Sequence, residues 1–205
     1  MHVWRERLAR WFDAPARRSP LSPNAITLVA LLLNLGAAAA LLGGSRRPAL
    51  FLVGVALLAA GGLADAFDGI VARVQGRTSR FGDFLDHVAD RISDTAVAAG
   101  WMIGSGVSHL LTVVGIIVVM LNGYIGTQIE ATWRERSYDV VGRGEFVLAL
   151  IVYPLVSYTL ARNGWMALPF GGLTIPEWMT LLLVAAGVFG IGQRLALAAR
   201  LERGH

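Results

Sequence analysis

The chain has 205 residues, of which 55% are hydrophobic and only 16% are charged, and its mean hydropathy is +0.58. This composition, with several apolar runs long enough to cross a bilayer core of roughly 30 Å, argues against a soluble domain and favours an integral membrane protein. The net charge is +4 and all 18 basic residues are arginines. Because they lie mainly at the ends of apolar runs, membrane orientation and anionic lipid explain them, and nucleic acid is not expected as a partner. The absence of cysteine excludes disulfides and thiolate metal sites.

Residues 1–20 are predicted to form an amphipathic helix that lies on the cytoplasmic surface of the membrane. Apolar side chains at helical spacing define its buried side: Val3, Trp4, Leu8, Trp11 and Phe12. Charged residues occupy the opposite side, as in interfacial helices. We therefore treat 1–20 as a segment distinct from a single membrane domain at 21–205.

Six apolar segments follow, each suited in length to a membrane-spanning helix. Their predicted bounds are Ala25–Gly43, Pro48–Val74, Phe81–Gly104, Leu110–Ala131, Glu145–Ala161 and Glu177–Ala199. The predicted fold class is therefore all-α, a polytopic membrane protein with six transmembrane helices preceded by the interfacial helix.

The arginines also predict the orientation of the chain. With six spans, fourteen arginines fall on the side that holds both termini and the second and fourth loops. The other side has only Arg46, Arg47 and Arg162, and Arg91 lies within the third span. Since basic residues concentrate on the cytoplasmic side, we expect the termini and the second loop at the cytoplasmic face of the cell membrane.

Six aspartates between residues 63 and 94 stand out, because charge within a membrane is costly and usually pairs or performs chemistry. A spacing of three and four residues places them on two helix faces. The first face holds Asp65, Asp68, Gly69, Ala72 and Arg73, and the second holds Asp83, Asp86, Asp90 and Asp94. A short loop joins the two helices, so the faces are predicted to oppose each other. Hard divalent cations would relieve the repulsion between their carboxylates, and we expect one or two Mg²⁺ or Mn²⁺ ions.

The same faces are predicted to bind phosphate. Two metal ions can clamp a displacement at phosphorus. Gly69 and Ala72 remove side-chain bulk one turn apart, and Arg73 ends the cleared patch with Thr78 and two further arginines nearby. Small residues also occur at ordinary helix contacts in membranes. The whole constellation nevertheless favours a site for a nucleotide diphosphate.

The spacing resembles the signature of the CDP-alcohol phosphatidyltransferases. It runs Asp65, two residues, Asp68, Gly69, two residues, Ala72, Arg73, eight residues, Gly82, three residues, Asp86, three residues, Asp90. The stretch LSPNAITL at 21–28 also resembles that family's first span. The resemblance covers nearly the whole chain.

The resemblance implies phospholipid biosynthesis, by transfer of a phosphatidyl or archaetidyl group from CDP-diacylglycerol or CDP-archaeol to a small alcohol, with release of CMP. It implies metal ligation by Asp65, Asp68 and Asp86, with Asp90 reaching a second metal or acting as the general base. The implied CDP-binding residues are Asp65, Asp68, Gly69, Ala72, Arg73, Thr78 and Gly82. It further implies a homodimer.

The acceptor alcohol is less clearly indicated. Family members that accept inositol phosphate carry basic residues on the fourth span, where this chain has Gly126 and Gln128. This departure disfavours a phosphoinositol acceptor. Arg143, and Arg194 in the last span, remain as candidate ligands for an acceptor phosphate. Glycerol 3-phosphate, inositol phosphate and a neutral alcohol stay open.

The alternative from another functional class is a cation- or proton-coupled transporter that uses the aspartates as an ion path. Such a path favours carboxylates near mid-membrane in discontinuous helices. Here the carboxylates lie toward one face, beside arginines, which favours a phosphate-bearing substrate.

Overall fold

The computed structural model describes residues 14–133 and 143–204, although the side chains of 143–145 and 204 lie outside the description. A short helical segment at 14–18 comes first. Six long helices follow within the described residues: α1 (Pro23–Leu42), α2 (Ala49–Val74), α3 (Arg80–Gly104), α4 (His109–Trp133), α5 (Arg143–Arg162) and α6 (Ile175–Gly204). A two-stranded antiparallel hairpin, β1 (Pro169–Phe170) and β2 (Leu173–Thr174), separates α5 from α6.

The six predicted helices are confirmed as helices, and within the described residues four of them are candidates for membrane spans. By length and composition α1, α2, α4 and α6 can cross a bilayer. Helix α3 is made less apolar by its charged first half, and the apolar part of α5 is short, at Phe146–Arg162. The interfacial residues predicted within 1–13 lie outside the described part of the chain. The hairpin is a small β element that an all-α prediction did not include.

Helix α1 packs along both α2 and α3 and thereby sets the distance between them. Small residues allow this packing: Ala37 and Ala38 on α1 are buried, Ala38 beside Gly100 of α3 and Ala37 beside Gly54 of α2. A methyl group on Gly104 would overlap the backbone carbonyl of Leu41, and one on Gly100 would overlap that of Ala38. Close approach of small residues is the usual basis of helix association in membranes. The contact fixes α3 against α1 near its C-terminal end.

At the other end of α3, the loop after α2 turns the chain within a few residues. Gly76 adopts a positive φ of 64°, and the N–H of Arg77 donates to the carbonyl of Ala72 at 2.8 Å, which closes the end of α2. Ser79 then caps α3, since its side-chain oxygen accepts from the N–H of Gly82 at 3.0 Å. Only the five residues of this tightly turned loop therefore separate the end of α2 from the start of α3.

Candidate metal and substrate site

The tight turn after α2 brings three carboxylates from two helices together. One oxygen each from Asp65, Asp68 and Asp86 lie within 4.8 Å of one another. Two oxygens on opposite sides of one cation are separated by up to about twice a metal–oxygen distance of 2.0–2.6 Å, so this spacing fits a hard divalent cation. Without a cation, three carboxylates this close would repel one another. The donor set therefore suits Mg²⁺ or Mn²⁺, and the predicted juxtaposition of these three residues is observed.

A threonine from α1 holds one member of this cluster. The hydroxyl of Thr27 donates to Oδ2 of Asp68 at 2.6 Å, and both side chains are buried. Its oxygen also lies 3.1 Å from the carbonyl of Pro23. A short hydrogen bond to a carboxylate fixes the orientation of that carboxylate more strongly than a neutral bond would. Helix α1 thus contributes to the site by orienting the carboxylate of Asp68.

Asp90 lies one helical turn beyond Asp86 on α3 and is buried. Among the described residues, the three-carboxylate group does not include it. Arg91 lies beside it, with Nη2 4.0 Å from Oδ2 of Asp90 and 3.5 Å from Oδ2 of Asp94. The predicted acidic face of α3 therefore divides. Asp86 joins the α2 carboxylates, whereas Asp90 and Asp94 lie beside a guanidinium.

The residues predicted to leave space for a nucleotide occupy the end of α2. The nearest side-chain atom to a methyl group placed on Gly69 would be Nη1 of Arg73, at 3.5 Å. Arg73 is exposed, and so is Thr78 in the following loop. Gly69 therefore faces a flexible cationic head rather than a packed helix, so a substrate phosphate could approach the backbone there.

Gly82, the glycine of the predicted signature on α3, has a different environment. A methyl group there would lie 3.1 Å from Oδ1 of Asn24 and 3.2 Å from Oγ of Ser79. The absence of a side chain at this position lets the N-terminus of α1 approach the first turn of α3. Gly82 shapes the site by permitting this approach.

The candidate acceptor residue Arg194 is buried on α6 and reaches α4. Its Nη1 donates to both the backbone carbonyl and the side-chain oxygen of Asn122. A methyl group on Gly126 would lie 3.3 Å from the central carbon of the guanidinium. The absence of a side chain at Gly126 therefore leaves room for the guanidinium of Arg194 from α6. The other candidate acceptor residue, Arg143, is the first residue of α5, and the side chain of Arg143 lies outside the described part of the chain.

Sequence reasoning missed three residues that contact these groups, namely Thr27, Asn24 and Asn122. Thr27 and Asp68 are 41 positions apart, and Arg194 and Asn122 are 72 apart, so no helical spacing relates them. The only available signal was chemical, because a polar residue within an otherwise apolar span usually has a partner.

Comparison with known proteins gives consistent findings. The model of the family described as CDP-alcohol phosphatidyltransferase matches residues 20–191. The archaetidylinositol phosphate synthase of Methanothermobacter thermautotrophicus is 29% identical over 198 residues, covering 95% of this chain and 92% of that protein. The phosphatidylinositol phosphate synthase of Mycolicibacterium smegmatis is 30% identical over 157 residues, covering 71% of this chain and 67% of that protein.

Solved structures of the phosphatidylinositol phosphate synthase of Mycobacterium tuberculosis share the fold. The structure with CDP-DAG bound has a TM-score of 0.67 at 26% identity, covering 91% of this chain and 92% of that one. The structure in complex with manganese and citrate has a TM-score of 0.68 at 25% identity, covering 90% and 87%. Manganese in the second structure agrees with the cation chemistry of the carboxylate cluster.

Replacing Thr27 with valine should weaken cation binding. Thr27→Val keeps the shape of the side chain but removes the hydrogen bond that orients Asp68. We expect the affinity for Mn²⁺, measured by calorimetric titration of the purified protein in detergent, to fall by about 10- to 100-fold.

Thr180→Val is the matched control, because the Thr180 hydroxyl is equally buried and bonds only the carbonyl of Pro176, at 2.9 Å, in the described contacts. Unchanged Mn²⁺ affinity in Thr27→Val, or an equal loss in Thr180→Val, would contradict the assignment.

Proposed function

Because this chain belongs to the CDP-alcohol phosphatidyltransferase family, we propose that it transfers the phosphatidyl or archaetidyl group of a CDP-linked lipid to a hydroxyl of an inositol phosphate, releasing CMP. Family membership makes the protein a membrane-bound transferase of phospholipid synthesis, rather than a transporter. The observation that carries the proposal is the three-carboxylate group within the matched region. The inositol phosphate acceptor is taken from relatives that are named archaetidylinositol and phosphatidylinositol phosphate synthases.

The burial of Arg194 also supports a phosphorylated acceptor. The sequence alone disfavoured inositol phosphate, since Gly126 stands where other members carry a basic residue. The guanidinium of Arg194 lies against Gly126, so a positive charge reaches that part of α4 from α6. A buried guanidinium can bind phosphate oxygens with two parallel hydrogen bonds. We assign Arg194, and with it Arg143, to the acceptor phosphate.

The donor is proposed to bind along the end of α2. We assign its diphosphate to the carboxylate-bound cations and to Arg73, with Gly69, Ala72 and Thr78 lining the nucleotide pocket and Gly82 shaping it. The exposed apolar faces of the spans suit either acyl or isoprenoid chains. CDP-diacylglycerol and CDP-archaeol are therefore both candidate donors.

In the proposed reaction Asp65, Asp68 and Asp86 would hold the first of two Mg²⁺ or Mn²⁺ ions. Of the two roles implied for Asp90, ligand of the second ion or general base, we propose the general base. Bound cations would neutralise the diphosphate and stabilise the departing CMP. Asp90 accepts the proton of the acceptor hydroxyl. The hydroxyl oxygen then forms a bond to the lipid-bearing phosphorus, the bond from that phosphorus to the CMP oxygen breaks, and Asp90 releases the proton to solvent.

For the topology, we propose that residues 21–205 form one domain with six spans, that 1–20 lie on the cytoplasmic surface, and that the carboxylate group faces the cytoplasm. Helix α3 has 25 residues, which correspond to about 37 Å, enough to cross a bilayer. Its charges fall within 80–94, and 95–104 are uncharged. The homodimer stays a prediction.

Purified protein should release CMP from a CDP-linked lipid only when an acceptor is present. We expect inositol 1-phosphate to give the highest kcat/KM in a panel with glycerol 3-phosphate, serine and choline, each tested with CDP-diacylglycerol and CDP-archaeol. EDTA should abolish CMP release, and added Mg²⁺ or Mn²⁺ should restore it.

Two results would count against this function. Activity that is indifferent to EDTA would remove the cations from the mechanism. Preference for another acceptor would overturn inositol phosphate while leaving the transferase reaction intact.

Replacing Asp90 with asparagine should abolish turnover, because the amide cannot accept the hydroxyl proton. Asp90→Asn keeps the size of the side chain, so we expect binding of the CDP-linked lipid, measured by equilibrium dialysis, to stay close to that of the unchanged protein. Near-normal CMP release by this variant would refute the base assignment.

The topology can be tested with single cysteines, since the chain contains none. Ser45→Cys, in the turn between α1 and α2, should react with a membrane-impermeant maleimide in intact cells. Arg77→Cys, in the loop after α2, should react only after permeabilisation. The reverse pattern would invert the proposed orientation, and the cysteine-free protein provides the blank.

A further inference from the structure

Two arginines, one from each of two neighbouring helices, place their guanidinium groups against glycines of α4. Arg194 of α6 lies against Gly126, as described above. Arg91 of α3 lies against Gly123, where a methyl group would overlap Nη1 and would lie 2.5 Å from Cζ and 3.0 Å from Cδ of the arginine. The head of Arg91 thus occupies the space that a side chain at 123 would fill.

In this position against Gly123, Arg91 lies beside two carboxylates of its own helix. Its Nη2 lies 3.5 Å from Asp94 and 4.0 Å from Asp90. All three side chains are largely buried, with exposed fractions of 18% for Arg91, 8% for Asp90 and 19% for Asp94. Charges removed from water interact over such distances far more strongly than exposed ones. The position of the guanidinium therefore affects which orientation of each carboxylate has the lowest energy.

The arrangement is costly to maintain. Within the described part of the chain, Nε of Arg91 is buried without a hydrogen-bond partner. Leaving a buried donor unpaired costs stability, and burying an ion pair does not by itself guarantee stability. A neutral apolar side chain would pack against α4 without that cost. The unpaired donor and the neighbouring carboxylates therefore point to a role for the guanidinium beyond packing.

We propose that Arg91 is a positioning residue: its guanidinium, seated on Gly123, holds the carboxylate of Asp90 in the orientation that accepts the proton of the acceptor hydroxyl. The inference rests on the proposed function, in which Asp90 is the base. Arg91 acts through Asp90 and binds no substrate. Gly123 acts through Arg91, because it provides the space for the guanidinium.

The main test compares two glycine substitutions. Gly123→Ala displaces the guanidinium, so we expect kcat for CMP release to fall by about 10- to 100-fold, with KM for the CDP-linked lipid unchanged within about twofold. Gly62→Ala is the matched control, because a methyl group at Gly62 on α2 has no atom within 4 Å. It should keep normal kcat and KM.

A double-mutant cycle shows whether Gly123 acts through Arg91. Arg91→Ala should lower kcat to a similar extent, and adding Gly123→Ala to it should change kcat no further, because no guanidinium remains to be displaced. Arg91→Lys, which keeps the charge on a smaller head, should recover part of the kcat lost in Arg91→Ala. Unfolding midpoints and CDP-lipid binding, measured in parallel, separate an effect on turnover from a loss of folded protein.

The possible outcomes separate a failure of the positioning role of Arg91 from a failure of the proposed transferase function. Additive losses in the cycle, a matched rise in KM, or equal kcat in Arg91→Lys and Arg91→Ala would overturn the positioning role. If Gly123→Ala does not fold, the comparison of Arg91→Lys with Arg91→Ala decides alone. Absence of CMP release from the unchanged protein would instead overturn the proposed function.

Discussion

The requirement to hold several carboxylates together within a membrane protein is the constraint on which the rest of this structure depends. Three carboxylate oxygens within 4.8 Å of one another repel unless a cation and fixed hydrogen-bond partners offset the charge. The fold meets this requirement by packing both acidic helices against α1. Gly76 and the Ser79 cap turn the chain sharply between α2 and α3, and the small residues of α1 let that helix pack along both.

Helix α1 links this packing to the chemistry of the site. Its C-terminal half approaches α3 at Gly100 and Gly104, while its N-terminal half brings Thr27 to Asp68. One rigid element thus fixes the separation of the two acidic helices and the orientation of a carboxylate between them. A cation and a diphosphate substrate need such a preformed arrangement, because realigning charged groups during the reaction would raise its barrier.

Helix α4 has an analogous role on the side that we propose to bind the acceptor. Its sequence NGYIG at 122–126 leaves room for Arg194 through Gly126 and for Arg91 through Gly123, and Asn122 accepts hydrogen bonds from Arg194. The same stretch therefore contacts two guanidinium groups: that of Arg194, which we assign to the acceptor, and that of Arg91, which lies beside Asp90. Because one helix contacts both arginines, we expect the proposed base Asp90 and the proposed phosphate ligand Arg194 to keep a fixed distance from each other.

The sequence by itself determined the six helices, the membrane composition and the acidic faces of α2 and α3, because length, hydropathy and a three-to-four-residue spacing are local properties of a helix. It predicted the group of Asp65, Asp68 and Asp86 because a short loop joins their helices. Only the tertiary structure decided what lies across from each face, since Thr27, Gly123 and Asn122 reach their partners across 32 to 72 positions of sequence. Gly126 illustrates the difference. In the sequence it is a missing positive charge, and in the fold it is the space that a guanidinium from another helix occupies.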